Sequence, residues 1–270
     1  MKQLFERLYL GTWQFSGQFK NFSDIQIKEI ITFANSNGIR KFDTAAVYGN
    51  GKVESILGET MINDSTVLTK IPAVSKPSLE TSARSIVYYP KEWINKCLLD
   101  SSKRLCRAPI DTILLHNWSR QWQKHDDLNP LMFLLESKAA GVVKKIGVSL
   151  PDDFDVRLSD EVIELIDVVE APLNTDNTWI LSEIPRLKTK GVEVILRSLF
   201  MQGLLIMDGD SFQMLNDRDI RKKRYSILSP SIRQNYKEIL LRAWELQTSI
   251  TVGMTTFQQI LDNIACLGGI

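Results

Sequence analysis

Residues 38–49 read Gly-Ile-Arg-Lys-Phe-Asp-Thr-Ala-Ala-Val-Tyr-Gly, and they join the end of one helix to a strand and a loop. Gly38 is typical of a residue that ends a helix, here an amphipathic helix predicted over 24–37 and capped by Ser23. Lys41–Ala46 has the apolar character of a strand buried on both faces. The glycine-rich turn that follows leads into a second predicted helix, Val53–Met61. The stretch therefore predicts one unit of alternating helix and strand.

The same alternation continues in both directions along the chain. Short apolar runs predict strands, and longer stretches with apolar residues three or four apart predict helices. The other predicted strands are Arg7–Trp13, Thr66–Ile71, Asp111–Trp118, Lys144–Leu150, Val168–Leu173, Val192–Phe200 and Ile250–Met254. The other predicted helices are Lys91–Leu105, Pro130–Ala140, Asp160–Leu165, Thr178–Lys190, Pro230–Gln247 and Phe257–Leu267, and a polar stretch, Met207–Leu228, interrupts the pattern.

Eight strands that alternate with helices favour parallel pairing through helical crossovers. A doubly wound sheet could hold eight strand–helix units, but a chain of 270 residues with eight such units more often closes its sheet into a barrel. The prediction is an α/β fold in which residues 1–270 form a single-domain (β/α)8 TIM barrel.

Composition narrows the functional classes. The formal net charge is +1, the hydrophobic fraction is 44% and the charged fraction is 24%, so neither a nucleic-acid nor a membrane partner is expected. The three cysteines, Cys97, Cys106 and Cys266, are widely spaced and show no metal-ligand pattern. Free thiols and a beginning unlike a signal peptide predict a cytoplasmic protein without a bound metal.

Polar side chains with useful chemistry lie where three neighbouring strands end. Asp43 ends the second strand, Tyr48 follows it in the loop, Lys70 ends the third strand and His116 ends the fourth. In a barrel of this type these ends meet at one rim, where active sites lie. A lysine beside a tyrosine favours proton release from the phenol, an aspartate can hold the lysine, and a histidine can orient a carbonyl oxygen.

Each of these residues also has a structural interpretation. Asp43 taken alone fits a turn or a helix cap, and Tyr48 fits a packing residue in a loop. Lys70 could be an exposed charge and His116 a hydrogen-bonded core residue. Their occurrence together at one rim favours catalysis, in which a hydride donor and a proton donor act on a carbonyl group.

Several motifs in the same order resemble the aldo-keto reductase superfamily over nearly the whole chain. The most specific is 38–49, and Arg197–Leu205 is similar to a bacterial branch associated with sugar and surface-polysaccharide biosynthesis. The others are Leu10–Trp13, Glu54 with Leu57 and Gly58, Thr69 with Lys70, His116–Trp118, Gly141–Ser149, and Gly253 with Gln259 and Asn263.

The resemblance implies an NADP(H)-dependent reductase of a small-molecule carbonyl substrate. It implies Tyr48 as the proton donor, Lys70 and Asp43 as the residues that tune it, and His116 as the residue that orients the carbonyl. The implied cofactor-binding residues are Thr12, Ser149, Glu170, Arg197, Ser198, Gln202, Gly203, Gly253, Thr255, Gln259 and Asn263, and the implied walls of the substrate pocket are Trp13, Trp118 and Trp179.

The sequence departs from the family pattern at several cofactor positions. Leu150 stands where an asparagine is frequent, and Glu170 stands where a glutamine grips the carboxamide. Gly253 and Gln259 stand where many members hold the 2′-phosphate with a lysine and an arginine, so NAD(H) is an alternative cofactor. A basic residue such as Lys222 or Arg224 could supply the charge instead.

Two other functions stay open beside the reductase. One is a cofactor-binding or regulatory protein on the same scaffold, which the altered cofactor positions favour. The other is an unrelated barrel lyase or isomerase, which would need a metal cluster or a pair of carboxylates at the rim. The sequence sets neither the substrate nor the oligomeric state.

Overall fold

The computed structural model describes residues 6–18, 20–78, 81–207 and 235–268. Its eight strands are parallel and close into a barrel in chain order, which confirms the predicted (β/α)8 architecture. The strands are β1 Leu8–Gly11, β2 Lys41–Asp43, β3 Thr66–Ile71, β4 Ile110–His116, β5 Val143–Ser149, β6 Val168–Pro172, β7 Glu193–Arg197 and β8 Ser249–Gly253.

Helices cover the outside of the barrel. In the part of the chain that the structure describes they are α1 Asp24–Ser36, α2 Lys52–Thr60, α3 Ser85–Tyr88, α4 Lys91–Leu105, α5 Asn129–Ala139, α6 Asp160–Leu165, α7 Ile180–Thr189, α8 Tyr236–Glu245 and α9 Phe257–Gly268. Ser23 caps α1 through a reciprocal capping box with Gln26, as its position predicts. None of these helices is both long and apolar enough to cross a membrane.

Some boundaries differ from the prediction. Strand β2 stops at Asp43, although Thr44 and Ala46 still donate main-chain hydrogen bonds to β3, and strand β7 stops at Arg197, where Ser198 turns the chain with a φ of 60°. The short helix α3 was not predicted, since a single turn carries no periodic signal. The predicted helix 230–247 is seen as α8 from Tyr236, while 230–234 and most of the polar stretch 207–228, with Lys222 and Arg224, lie outside the described residues.

A small apolar cluster fills the inside of the barrel and is called the apolar plug below. It is separate from the main core between strands and helices, and each member comes from a different strand. Its members are Tyr9, Leu68, Leu114, Val168 and Ile195. Gly147 on β5 adds no side chain, because a Cβ there would lie 1.8 Å from the main-chain oxygen of Val168.

Strand geometry sets what lies above this plug. Side chains on a strand alternate between its two faces, so the residue two positions further on points the same way. On each of these strands, the residue two positions after the member of the apolar plug lines an open cleft at the carboxyl ends of the strands. These residues are Gly11, Lys70, His116, Glu170 and Arg197.

Candidate active site

A buried ion pair forms the floor of the cleft. The ammonium of Lys70 donates a hydrogen bond to Oδ1 of Asp43 and another, of 3.1 Å, to the main-chain oxygen of Thr44. Thr251 on β8 donates to Oδ2 of Asp43 at 2.9 Å. Lys70 is 1% exposed and Asp43 is 6% exposed, so each charge depends on the other for compensation.

Glu170 brings a second carboxylate to the same lysine. Its Oε1 lies 3.3 Å from Nζ of Lys70, and its Oε2 accepts a hydrogen bond from Oγ of Ser149 on the neighbouring strand. The side chain of Glu170 is completely buried. Burial alone would raise the pKa of Glu170, but Lys70 and then Arg197 outweigh it and hold that pKa below its ordinary value.

Burial and mutual charge shift the pKa values of Asp43 and Lys70. Burial raises the pKa of Asp43 to about 7, and Glu170 adds to this rise against the opposing charge of Lys70. Burial would lower the pKa of Lys70, yet Asp43 and Glu170 together hold it above its ordinary value. Lys70 is therefore a permanent cation at neutral pH.

Tyr48 overhangs this floor from the loop after β2. Its ring centroid is 5.8 Å from Nζ of Lys70. Burial raises the pKa of Tyr48 to about 12, although the charge of Lys70 acts to lower it. The phenol is consequently protonated at neutral pH and is placed to give its proton to a molecule in the cleft.

His116 completes the group on the next strand, β4. It pairs in register with Ser149, and its side chain lines the cleft. Burial lowers the pKa of His116 to about 3, and the neighbouring Lys70 lowers it further. The imidazole is thus neutral at physiological pH and can donate one hydrogen bond.

The structure brings most of the proposed cofactor residues to one cleft of about 1470 Å³. That volume exceeds the roughly 300–1,000 Å³ of ordinary small-ligand pockets, so it suits an extended cofactor together with a substrate. The members that line it are Thr12, Glu170, Arg197, Ser198, Gln202, Gly203, Gly253, Thr255 and Gln259, together with Trp13 and the four proposed catalytic residues Asp43, Tyr48, Lys70 and His116.

The loop after β7 has a backbone suited to an anion. Ser198, Met201, Gln202 and Gly203 all have φ between 47° and 91°. Left-handed residues in such turns can direct main-chain N–H groups into a concave surface, which is a common way to bind phosphate. This backbone geometry is compatible with the pyrophosphate of a dinucleotide.

Four residues predicted for the site lie elsewhere or behind it. Trp118 is fully buried and packs on Trp122 with ring centroids 5.3 Å apart, because Asn117 adopts a φ of 64° and turns the chain away from the cleft. Trp179 packs against Phe154, which lines the cleft. Ser149 lies behind the lining at Glu170, and Asn263 is buried on α9.

Two residues of the site were not singled out in the sequence. Thr251 meets Asp43 across the β1–β8 closure, 208 positions away along the chain, and no local signal marks it. Asp152 binds Nη1 of Arg197 at 2.8 Å, and Arg197 also donates to the main-chain oxygen of Leu150 at 2.6 Å. Asp152 follows the end of β5, and the strand-end rule that selected Asp43 and His116 would have found it.

Comparison with known proteins agrees with this architecture. A family model described as the aldo/keto reductase family matches residues 7–266. The chain belongs to the aldo/keto reductase family. This membership sets aside the hypothesis of an unrelated barrel lyase or isomerase.

The relatives found by sequence comparison share limited identity with this chain. An uncharacterized oxidoreductase of Mycobacterium tuberculosis is 38% identical over 93 residues, which are 30% of this chain and only 29% of that protein. The pyridoxal 4-dehydrogenase of Microbacterium luteolum is 22% identical over 236 residues, covering 73% of this chain and 68% of that protein.

Solved structures show the same fold at low identity. The glycerol dehydrogenase of Gluconobacter oxydans has a TM-score of 0.74 at 22% identity, and the match covers 98% of this chain and 86% of that protein's chain. An aldo/keto reductase from Klebsiella pneumoniae, solved with NADP and acetate, has a TM-score of 0.65 at 16% identity over 97% and 85% of the two chains. At these identities the likeness concerns the fold.

Proposed function

We propose that this aldo/keto reductase uses a nicotinamide cofactor to reduce an aldehyde or a ketone to an alcohol, with Tyr48 as the proton donor. The observation that carries the proposal is the Lys70–Asp43 ion pair beneath Tyr48, with the ring of Tyr48 5.8 Å from the ammonium, at the floor of a large cleft. Family membership supports the same reaction class.

The residues divide the work of carbonyl reduction. A bound NADH or NADPH supplies the hydride. Tyr48 gives its phenolic proton to the carbonyl oxygen as negative charge develops there. Lys70, fully charged and buried, stabilises the phenolate that is left behind. His116, neutral at physiological pH, donates a hydrogen bond that holds the carbonyl oxygen near Tyr48.

The cofactor lies, in this proposal, across the rim from β1 to β8. Thr12, whose hydroxyl donates to the main-chain oxygen of Asp43 at 2.9 Å, serves the nicotinamide end. Ser198, Gln202 and Gly203 serve the pyrophosphate, and Gly253, Thr255 and Gln259 serve the adenosine end. Ser149, Glu170, Arg197 and Asn263 support these contacts from behind or beside them.

Strand β8 and helix α9, as far as the structure describes them, offer no positively charged side chain to hold a 2′-phosphate. Residues 249–268 contain neither lysine nor arginine, and Oε1 of Gln259 accepts a hydrogen bond of 2.7 Å from the main chain of Thr255. Glutamine cannot replace the bidentate charge of arginine. This favours NAD(H), whereas the family resemblance implies NADP(H), and the ratio of the two affinities decides between them.

The test compares the wild type with Tyr48→Phe. We expect turnover to fall by roughly 10²–10⁴-fold, because the proton donor is removed, while the affinity for cofactor stays within twofold or so. Turnover is measured on short aldehydes and pyridoxal for reduction and on glycerol for oxidation. Affinity is measured for NADH and NADPH by quenching of tryptophan fluorescence. Full turnover in Tyr48→Phe would contradict the assignment of the donor.

A cofactor-binding or regulatory protein is the second candidate. The observation that favours it is Glu170, which gives Lys70 a second carboxylate and weakens its effect on Tyr48. This candidate predicts tight binding of NADH or NADPH without turnover on any of the carbonyl compounds tested. Binding of neither cofactor would contradict both candidates.

A polar substrate fits the lining of the cleft. Gln14, Asn117 and Ser119 face it in addition to the proposed catalytic group, and Trp13 offers an apolar surface beside them. Such a lining suits a hydroxylated, sugar-like carbonyl compound, since hydroxyl groups can exchange hydrogen bonds with amide side chains.

A further inference from the structure

Glu170 has surroundings that a residue serving only the cofactor would not need. Its carboxylate is wholly enclosed, with one oxygen on the hydroxyl of Ser149 and the other 3.3 Å from Nζ of Lys70. A buried carboxylate is strongly destabilising unless a cation or hydrogen bonds compensate for it. Lys70 is the nearest cation, so the two groups stabilise one another at the floor of the cleft.

Lys70 is consequently held from two sides. An ammonium has three N–H donors. One goes to Asp43 on β2 and one to the main-chain oxygen of Thr44, and Glu170 on β6 lies across the barrel from both. This ammonium lies 5.8 Å from the centre of the Tyr48 ring, so its position and its charge act on Tyr48.

We propose that Glu170 is a positioning residue of the reductase reaction. Together with Asp43 it compensates the positive charge of Lys70, and it thereby weakens the electrostatic effect of Lys70 on Tyr48. This inference rests on the proposed role of Tyr48 as the proton donor. It assigns Glu170 to the proton-donating group as well as to the edge of the cofactor site.

The charges that face Glu170 agree with this role. Glu170 opposes Lys70 in its effect on the pKa of Tyr48, and it also raises the pKa of Asp43. Removing the carboxylate therefore lowers both pKa values. The charged and titratable groups that interact with Glu170 come from five elements and are Asp43, Tyr48, Lys70, His116 and Arg197, and the neutral hydroxyl of Ser149 on β5 donates to it.

The experiment is an alkaline spectral titration of tyrosine in the Glu170→Gln variant, made without cofactor or substrate. The contribution of Tyr48 is isolated by subtracting the same titration with Tyr48→Phe added, in both the wild-type and the Glu170→Gln background. We expect Tyr48 to ionise at a pH about one unit lower when the carboxylate is gone. With cofactor and substrate bound, the rate of reduction is expected to decline at high pH, and in Glu170→Gln the midpoint of this decline is expected to lie lower by the same amount.

Matched variants separate charge from shape. Glu193→Gln removes a carboxylate at the opposite end of the barrel, where it pairs with Lys145, and is expected to leave the titration of Tyr48 unchanged. Glu170→Asp keeps the charge and is expected to stay close to the wild type. Glu170→Met is a second uncharged variant for use if glutamine prevents folding, and the same shift is expected from it.

Two results would overturn the inference. One is an ionisation of Tyr48 in folded Glu170→Gln or Glu170→Met that coincides with the wild type. The other is a shift in Glu170→Asp as large as in Glu170→Gln. Neither result bears on the proposed function, which fails separately if Tyr48→Phe retains full turnover.

Discussion

At the scale of single residues, the site is built from groups whose charge is set by burial. His116 is neutral because burial and the nearby Lys70 lower its pKa to about 3. Asp43 is moved in the opposite direction, to about 7, by burial and Glu170. The two side chains therefore respond to acid with opposite effects on stability.

The neutral state of His116 predicts a pH-dependent contribution to the free energy of unfolding. The unfolded chain takes up a proton at this residue below about pH 6.5, and the folded protein does so only near pH 3. The contribution of neutral His116 to the free energy of unfolding is therefore fully present above about pH 6.5. It decreases as the pH falls below that value, by at most about 1.4 kcal/mol per pH unit. Urea unfolding of the wild type and of His116→Gln between pH 7 and 5 measures it.

The difference between the two proteins is the quantity to follow. Asp43 is present in both, and its raised pKa makes the folded protein more stable as the pH falls from about 7 towards its ordinary value. Subtracting one unfolding curve from the other removes that effect. A difference that does not change between pH 7 and 5 would show that His116 is protonated equally in the two states.

At the scale of elements, the loop that carries Tyr48 is held from behind by α4. Gly51 has a φ of 87°, and a Cβ there would lie 2.8 Å from Cδ of Arg104. Nε of Arg104 donates to Glu54 on α2 at 2.7 Å, and the other oxygen of Glu54 accepts from Thr69 on β3 at 2.6 Å. This network ties the start of α2 to the strand that ends in Lys70.

Gly51→Ala is expected to destabilise the protein and to slow turnover. Alanine at positive φ costs about 1–2 kcal/mol, and here the methyl group must also displace Arg104, so the turn that holds Tyr48 shifts. Gly141→Ala is the matched control, because Gly141 has a φ of 72° and open space around a Cβ. Urea unfolding and turnover of both variants make the comparison.

The two variants separate backbone strain from displacement of the loop. Gly141→Ala should lose about the same strain energy and keep its turnover. Equal stability and equal turnover in the two variants would show that Arg104 moves aside freely and that the network does not position Tyr48.

At the scale of the whole molecule, the apolar plug is the support for the polar layer above it. Leu114 is completely buried inside the barrel, and its Cδ2 would lie 3.0 Å from a Cβ at position 147. The residue two positions further along β4 is His116. A change in the plug is therefore transmitted to the floor of the cleft through the strand itself.

Leu114→Ala is expected to lower the free energy of unfolding by about 2–5 kcal/mol, because it leaves a cavity in a closed core. It is also expected to slow turnover, since His116, which holds the carbonyl oxygen near Tyr48, loses its support. Leu99→Ala on α4 is the control, because Leu99 is 56% exposed and the change should stay within about 0.5 kcal/mol. Equal stability of the two variants would contradict the role of the plug.

The sequence by itself determined the alternation of eight strands with helices, because hydrophobic periodicity is local. It also placed Asp43, Tyr48, Lys70 and His116 at or just after strand ends, and the structure brings these side chains to one cleft. That grouping could be predicted because parallel strands in a barrel deliver their carboxyl ends to one rim.

Only the tertiary structure decided which side chains meet. The contact of Glu170 with Lys70 and that of Thr251 with Asp43 join residues 100 and 208 positions apart, so they depend on how the barrel closes. The direction of Trp118 depends on the backbone turn at Asn117. Strand position is encoded locally, whereas contact across a barrel is set by closure and side-chain direction, which no window of sequence contains.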